Sequence, residues 1–156
     1  MTEFTEFVRI ECPVARVWLA LTDPAEVTAW DTGIVEPIDA PVDYPKPGQY
    51  VRWRYRLGRL PLILHDRPSE VVPNRTLRSS IRLGPFTFDE TYTLGALAPN
   101  RSELSARLCV WSEVPVVGAL LERWPGAPLA LATVRQSLAA IKLHCERNRV
   151  IRPQRG

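Results

Sequence analysis

Histidine is scarce in this sequence, and the shortage argues against a metal centre. His65 and His144 are the 2 histidines among the 156 residues, too few for a metal cluster without help from carboxylates. The sequence also lacks a G-x-S-x-G nucleophile elbow and a glycine-rich phosphate loop. We therefore expect neither a metal ion nor a cofactor.

Cysteine is almost as sparse. Cys12, Cys109 and Cys145 are far apart, odd in number, and without a C-x-x-C pair or the spacing of metal ligands. Isolated cysteines of this kind usually behave as small hydrophobic side chains. We expect them to be buried and chemically inert.

Long apolar runs are missing too. No stretch approaches the ~20 apolar residues of a membrane span. The segment MTEFTEFVRIEC lacks the basic start and apolar centre of a secretion signal. With 46% hydrophobic and 24% charged residues, the chain has the composition of a globular protein. We expect one domain over residues 1–156 and a cytoplasmic location.

Lysine is nearly absent, since Lys46 and Lys142 are the only lysines among 20 basic residues. The net charge is +3, and a row of arginines at Arg52, Arg54 and Arg56 could contact phosphates. These arginines alternate with apolar residues, however, which favours the solvated face of a strand. We do not expect nucleic-acid binding.

The spacing of apolar residues in the first part of the chain predicts one strand and two short helices. Residues 4–11 alternate as in a strand, and two helical patterns follow over 13–22 and 24–30. Asp23 should cap the second helix, with Glu26 placed for a capping box. Gly33 could end that helix in a left-handed conformation.

The middle of the chain alternates with a period of two. After a short strand in GIVEPI, short turn signals separate five long strand candidates, which is typical of an antiparallel meander. These candidates are residues 49–57, 60–71, 75–83, 86–96 and 102–111.

The last third returns to helical spacing. The pattern predicts a helix over 128–147, with a break or a kink near the WPGAP motif. One apolar stripe runs along this helix. It consists of Leu131, Val134, Leu138, Ile141 and Cys145.

This order of elements resembles the START-like helix-grip superfamily, also called SRPBCC. The resemblance rests on a proline after the first strand, then Val-Trp, Asp-Pro and a tryptophan. Here these are Pro13, Val17-Trp18, Asp23-Pro24 and Trp30. The segments EVVPNRTL and YTLGALAPNRSELSARL resemble later strand turns. The nearest branch is the polyketide cyclase/dehydrase and lipid-transport group.

The resemblance implies an α+β helix-grip fold. A curved antiparallel sheet of about seven strands would wrap around the long C-terminal helix. Two short helices after strand one would close one end, and a cavity would lie between the sheet and the long helix. The superfamily includes cyclases, hydrolases, lipid carriers, hormone receptors and regulators, so it leaves the function open.

Alternation within this fold assigns side chains to the cavity. The expected ligand-binding residues are Trp30, Trp53, Tyr55, Ser79, Phe88, Tyr92, Leu108, Val134 and Leu138. An apolar lining with few polar groups is typical of a small-molecule pocket. On 60–71 two inward sets compete. One is Leu62, Leu64 and Asp66, and the other is Ile63, His65 and Arg67.

Two residues are candidates for acid–base catalysis. Glu90 is the carboxylate in an otherwise apolar inner row, where burial would raise its pKa. An ion pair with a nearby arginine, or a polar position at the mouth of the pocket, is the structural alternative. His65 could carry a second proton if its set faces inward, and a purely structural strand histidine is the alternative.

Three functions compete. We favour a carrier or sensor that binds a small hydrophobic ligand. The second is an aromatase/cyclase or dehydratase that acts on a polyketide-like substrate. The third is a regulator that binds a partner protein through the arginine row or residues 114–128. The ligand and the oligomeric state, including a homodimer, stay open.

Overall fold

The computed structural model describes residues 2–112 and 126–149. Strands and helices follow one another in the order that the apolar spacing predicts. They are β1 (Thr2–Ile10), α1 (Val14–Thr22), α2 (Pro24–Trp30), β2 (Ile34–Pro37), β3 (Val51–Leu57), β4 (Leu60–Val72), β5 (Thr76–Leu83), β6 (Phe86–Ala98), β7 (Arg101–Ser112) and α3 (Gly126–Arg147).

The strands form one antiparallel sheet in the order β1-β7-β6-β5-β4-β3-β2. Because β3 to β7 are joined by short turns, each pairs with its neighbour in sequence, and β1 closes onto β7. Gly58 and Gly84 have φ of 61° and 58° in two of these turns, a conformation that glycine adopts without strain. The seven-stranded sheet and the C-terminal helix confirm the α+β helix-grip prediction.

The turn between α1 and α2 is fixed by Asp23. Its Oδ1 accepts a hydrogen bond from the Ala25 backbone N–H at 2.9 Å, as predicted for a cap. The predicted capping box is wrong, because the Glu26 carboxylate accepts hydrogen bonds from Arg16 instead. The predicted left-handed end at Gly33 is also wrong. The helix ends at Trp30, the next residue Asp31 has an extended backbone, and Gly33 lies outside the left-handed region.

One end of the structure is tightly filled, and we call it the packed end. It lies where α1, β1 and β7 meet the later part of α3. Its largest apolar side chains are completely buried, namely Ile10, Val17, Leu104, Ile141 and Cys145 at 0% exposure. Close packing of this kind contributes most of the stability of a small domain. The predicted stripe of α3 thus reaches the core, although Leu131 is half-buried.

The outer face of the sheet carries charged pairs. Arg52 and Arg54 are exposed there and lie 2.8 Å from the carboxylates of Asp39 and Glu36, respectively. This is the solvated face that the alternation predicts. The expectation for Cys109 is wrong, because it lies partly exposed on this face of β7, whereas Cys12 and Cys145 are buried.

Three expectations remain predictions after the fold is known. No helix within the described residues is long and apolar enough to cross a membrane, but the compartment is untested. The single-domain interpretation of residues 1–156 is also untested. Residues 114–125, most of the segment considered for partner binding, lie outside the described part of the chain.

Candidate functional site

The other end of the structure encloses a cavity of about 850 Å³, and we call it the hollow end. Its walls come from α2, from the concave face of β3 to β7 and from α3. Apolar side chains dominate the described lining. They include Leu21, Val27, Leu64, Leu77, Ile81, Leu83, Phe86, Ala106 and Val110.

Eight of the residues predicted to contact a ligand do line this cavity. They are Trp30, Trp53, Tyr55, Ser79, Phe88, Tyr92, Leu108 and Val134. The placement of Leu138 is corrected. It is 3% exposed within the hydrophobic core, because α3 presents only the edge containing Val134 and Ser137 to the cavity. Whether any of these residues binds a ligand stays a prediction.

Trp30 anchors the short helices over the cavity. Its indole Nε1 donates a hydrogen bond to the Ala20 carbonyl oxygen at 2.8 Å, which ties α2 to α1. The ring is 8% exposed and forms part of the cavity wall. Trp18 packs half-buried against the core instead. The two tryptophans of this segment therefore differ, because only Trp30 faces the cavity.

Glu90 lies on β6 in the inner row between Phe88 and Tyr92. The Tyr92 hydroxyl donates a hydrogen bond to Glu90 Oε1 at 2.8 Å. Burial raises the pKa of Glu90 to about 7 despite this hydrogen bond, and the nearby carboxylates of Asp31 and Asp66 add to the rise. The alternative of an arginine partner fails for Arg78, which pairs with Asp89 on the outer face at 3.2 Å.

The structure resolves the open choice on β4. Leu64 and Asp66 face inward, whereas His65 points to the outer face. There the His65 ring is hydrogen-bonded to the Tyr50 hydroxyl. Burial and neighbouring arginines lower the pKa of His65. The interpretation that places His65 in the cavity is therefore corrected. Sequence spacing could not decide it, because Ile63 and Leu64 are apolar on opposite faces.

Asp66 is a buried carboxylate in the cavity wall at 5% exposure. The Tyr44 hydroxyl donates a hydrogen bond to its Oδ2 at 2.7 Å, and the Tyr44 ring meets Trp53 edge-on with centroids 5.8 Å apart. Oδ1 has no hydrogen-bond partner among the described residues. Burial raises the pKa of Asp66, although Tyr44, Ser79 and Trp53 oppose the rise. Ser79 and Trp53 favour the charged form of Asp66, but neither forms a hydrogen bond to Oδ1.

Asp31 supplies a third carboxylate where α2 ends. Its Oδ1 accepts hydrogen bonds from the backbone N–H groups of Gly33 at 2.9 Å and Ile34 at 3.3 Å. Burial raises its pKa in spite of them. The chain then passes so close to the Tyr55 ring that a Cβ atom at Gly33 would collide with it. Gly33 is therefore needed for close approach and not for a helix cap.

The phenols beside these carboxylates remain hydrogen-bond donors. Burial first, and then the negative carboxylates, raise the pKa of Tyr44 and Tyr92 well above the usual value. Both side chains thus stay protonated at neutral pH and orient Asp66 and Glu90. Within residues 2–112 and 126–149, no three histidine, cysteine or carboxylate side chains are grouped so that they could hold a metal ion.

A curved antiparallel sheet that closes a cavity against a C-terminal helix defines the START-like helix-grip class. The chain belongs to the polyketide cyclase/dehydrase and lipid transport family, whose family model matches residues 1–146. The resemblance carried by Pro13, Val17-Trp18, Asp23-Pro24 and Trp30 is thereby confirmed. No curated protein matches the chain at a significant level of sequence similarity.

Solved structures share the fold at low sequence identity. The Zhui aromatase/cyclase from Streptomyces sp. R1128 matches with a TM-score of 0.76 and 13% identity, covering 94% of both chains. A START superfamily protein from Mycobacterium smegmatis matches with a TM-score of 0.69 and 15% identity, covering 94% of this chain and 96% of the other. Protein CV1439 from Chromobacterium violaceum gives 0.70 and 19%, covering 92% and 96%. Identities this low establish the fold alone.

Proposed function

We propose that the protein binds a small hydrophobic molecule in the cavity of the hollow end and acts as a carrier or sensor. The observation that supports this most directly is the cavity itself. Its volume of about 850 Å³ falls within the ~300–1,000 Å³ typical of small-molecule sites. Its aromatic and aliphatic lining, interrupted by a few polar groups, also has the composition of such sites.

The apolar character of the lining supports the same function. Side chains such as Phe88 and Leu108 present apolar surface to the cavity. An apolar ligand would remove this surface from water and gain dispersion contacts with it, which gives a favourable free energy of binding.

A matched pair of variants tests this proposal. Ser79 faces the cavity and Ser80 faces the other side of the same strand. Ser79→Phe fills part of the cavity, and Ser80→Phe adds the same ring outside it. In a titration with the neutral apolar dye Nile red, Ser79→Phe should weaken binding at least tenfold and Ser80→Phe should leave it unchanged. Equal affinities in the two variants, or no dye binding at all, would contradict the proposal.

A specific observation favours a second candidate, an aromatase/cyclase or dehydratase acting on a polyketide-like substrate. Glu90, with its pKa raised to about 7, is present in both protonation states near neutral pH. It could take a proton from a carbon between two ketone groups and return it to an oxygen. The Tyr92 hydroxyl, 2.8 Å from Oε1, would hold the carboxylate in place during both transfers. The fold shared with an aromatase/cyclase is consistent with this chemistry.

Glu90→Gln separates the two candidates. Glutamine keeps the size and hydrogen bonding of glutamate but cannot transfer a proton. For an enzyme, turnover of a synthetic linear poly-β-ketone should fall by ~10²–10⁴ while affinity changes little. The control is Asp89→Asn on the outer face, which should keep full turnover. If the unaltered protein produces no cyclised product, the enzymatic candidate is wrong and the carrier or sensor remains.

A further inference from the structure

We propose that the cavity selects an apolar ligand carrying a hydrogen-bond donor, either a hydroxyl or a protonated amine, and discriminates against carboxylates and other anions. This inference rests on the proposed function, because it names the chemical class of ligand for the same cavity. It follows from the charges and unmet acceptors of the described lining.

The described lining is acidic in its interior. Asp31, Asp66 and Glu90 come from three separate elements and all contribute to the cavity wall. Among the lining residues that the structure describes, Arg56 is the one cation, and it is exposed near the β3–β4 turn. An anion entering this space would lose its hydration and meet carboxylates without a compensating cation.

Two acceptors in this wall are unmet. Glu90 uses Oε1 for Tyr92, and Oε2 has no hydrogen-bond partner within the described part of the chain. Glu90 is accessible from the cavity, so a ligand donor can reach it. Oδ1 of Asp66 is likewise without a partner in a side chain that is 5% exposed.

A buried acceptor without a hydrogen bond carries an unfavourable desolvation free energy, and a hydrogen bond from a ligand would offset it. Oδ1 of Asp66 is covered by the wall, so the first acceptor that a ligand donor meets is Oε2 of Glu90, which is accessible from the cavity. The Tyr44 hydroxyl, which already holds Oδ2 at 2.7 Å, cannot supply a second donor to Oδ1. Glu90 and Asp66 thus each leave one carboxylate oxygen without a hydrogen bond from the described residues, and a ligand donor can supply it.

Three ligands with the same twelve-carbon chain test this inference on the unaltered protein. Dodecanol, dodecylamine and dodecanoate differ only in the head group, and calorimetric titration at pH 8 gives their affinities. Dodecanoate should bind at least about tenfold more weakly than dodecanol, because the carboxylates of the lining repel it. If dodecylamine binds more tightly than dodecanol, the natural ligand is cationic. If dodecanol binds more tightly than dodecylamine, it is neutral. Both results support the inference.

The outcomes separate this inference from the proposed function. If dodecanoate binds as tightly as dodecanol, the inference is overturned and the hydrophobic cavity stands. If none of the three binds, the proposed function fails and the inference with it. Either result is read from the unaltered protein, so neither depends on a variant that folds.

Variants assign the selectivity to the carboxylates. Asp66→Asn and Glu90→Gln should each reduce the ratio of dodecanol to dodecanoate affinity several-fold. Asp89→Asn, on the outer face and paired with Arg78, should preserve the ratio. Circular dichroism tests whether each variant is folded. If Asp66→Asn does not fold, Glu90→Gln alone tests the assignment. An unchanged ratio in every folded inner-face variant would overturn the assignment.

Discussion

The strand β7 contributes to both the packed end and the hollow end, yet the two ends have opposite properties. On β7, Leu104 and Leu108 are four residues apart and both face inward. Leu104 is at 0% exposure in the packed end, and Leu108 borders the cavity of the hollow end. The packed end carries the apolar contacts that hold the fold. The hollow end contains the cavity and three carboxylates with raised pKa values. We therefore attribute stability to the packed end and propose ligand recognition for the hollow end of the same sheet.

The largest expected effect uses this pair of leucines. Leu104→Ala should lower the free energy of unfolding by ~2–5 kcal/mol, because it opens a void in close-packed surroundings. Leu108→Ala should cost less than half as much, because the cavity already exists beside it. Urea denaturation of both variants measures the difference. Equal losses would mean that the two ends are packed alike.

The next effect concerns the pH dependence of stability. The folded protein raises the pKa of Glu90 from 4.5 to about 7, so folding favours the protonated form. Its contribution to stability is complete below about pH 4.5 and is lost as pH rises through about 7. Glu90→Gln, which does not titrate, should therefore stabilise the protein by ~1–3 kcal/mol at pH 8. That gain should disappear toward pH 4.5.

Denaturation by urea across this pH range is the measurement, with Asp89→Asn as the outer-face control. Asp89→Asn should show no gain that grows between pH 4.5 and 8. A gain of equal size at all pH values in Glu90→Gln would show that the Glu90 carboxylate does not titrate in a dry site.

A third effect tests the close approach at Gly33. Gly33→Ala would push a methyl group into the Tyr55 ring, and we expect a loss of ~1–3 kcal/mol together with weaker Nile red binding. Gly95→Ala on β6 is the matched control, because no atom lies within 4 Å of the added Cβ. Thermal unfolding of both variants tests the prediction. Similar midpoints would contradict the observed packing of Tyr55.

The smallest effect compares the two faces of β3. Arg54 forms an exposed ion pair with Glu36, so Arg54→Ala should change the free energy of unfolding by less than ~1 kcal/mol. It should also leave Nile red binding unchanged. Trp53→Ala, which removes an aromatic wall of the cavity, should weaken dye binding. If Arg54→Ala weakens binding as much, the inner and outer faces are not distinct in function.

Regular alternation made much of the fold and part of the site predictable. Ser79, Phe88, Glu90 and Tyr92 lie on strands where polar and apolar residues separate cleanly, so their faces follow from the sequence. The strand β4 has apolar residues on both faces, and its inward carboxylate, Asp66, contradicts the simple pattern. Its direction therefore needed the structure.

The remaining parts of the site have no periodic signal. Asp31 lies where a short helix ends, and Tyr44 lies in a proline-rich loop, so neither belongs to a repeating pattern. Both reach the cavity through tertiary contacts, Tyr44 through its hydrogen bond to Asp66. Leu138 was misplaced for a related reason. A single helical stripe supplies both the packed end and the cavity edge, and spacing alone does not divide it.

Native mass spectrometry of the freshly purified protein tests the central claim that the hollow end is the ligand site. After incubation with Nile red, the unaltered protein and Ser80→Phe should both carry one bound small molecule. Ser79→Phe, which fills part of the cavity, should carry much less bound dye at the same dye concentration. Equal amounts of bound dye on Ser79→Phe and Ser80→Phe, or an unaltered protein without any bound molecule, would contradict the account.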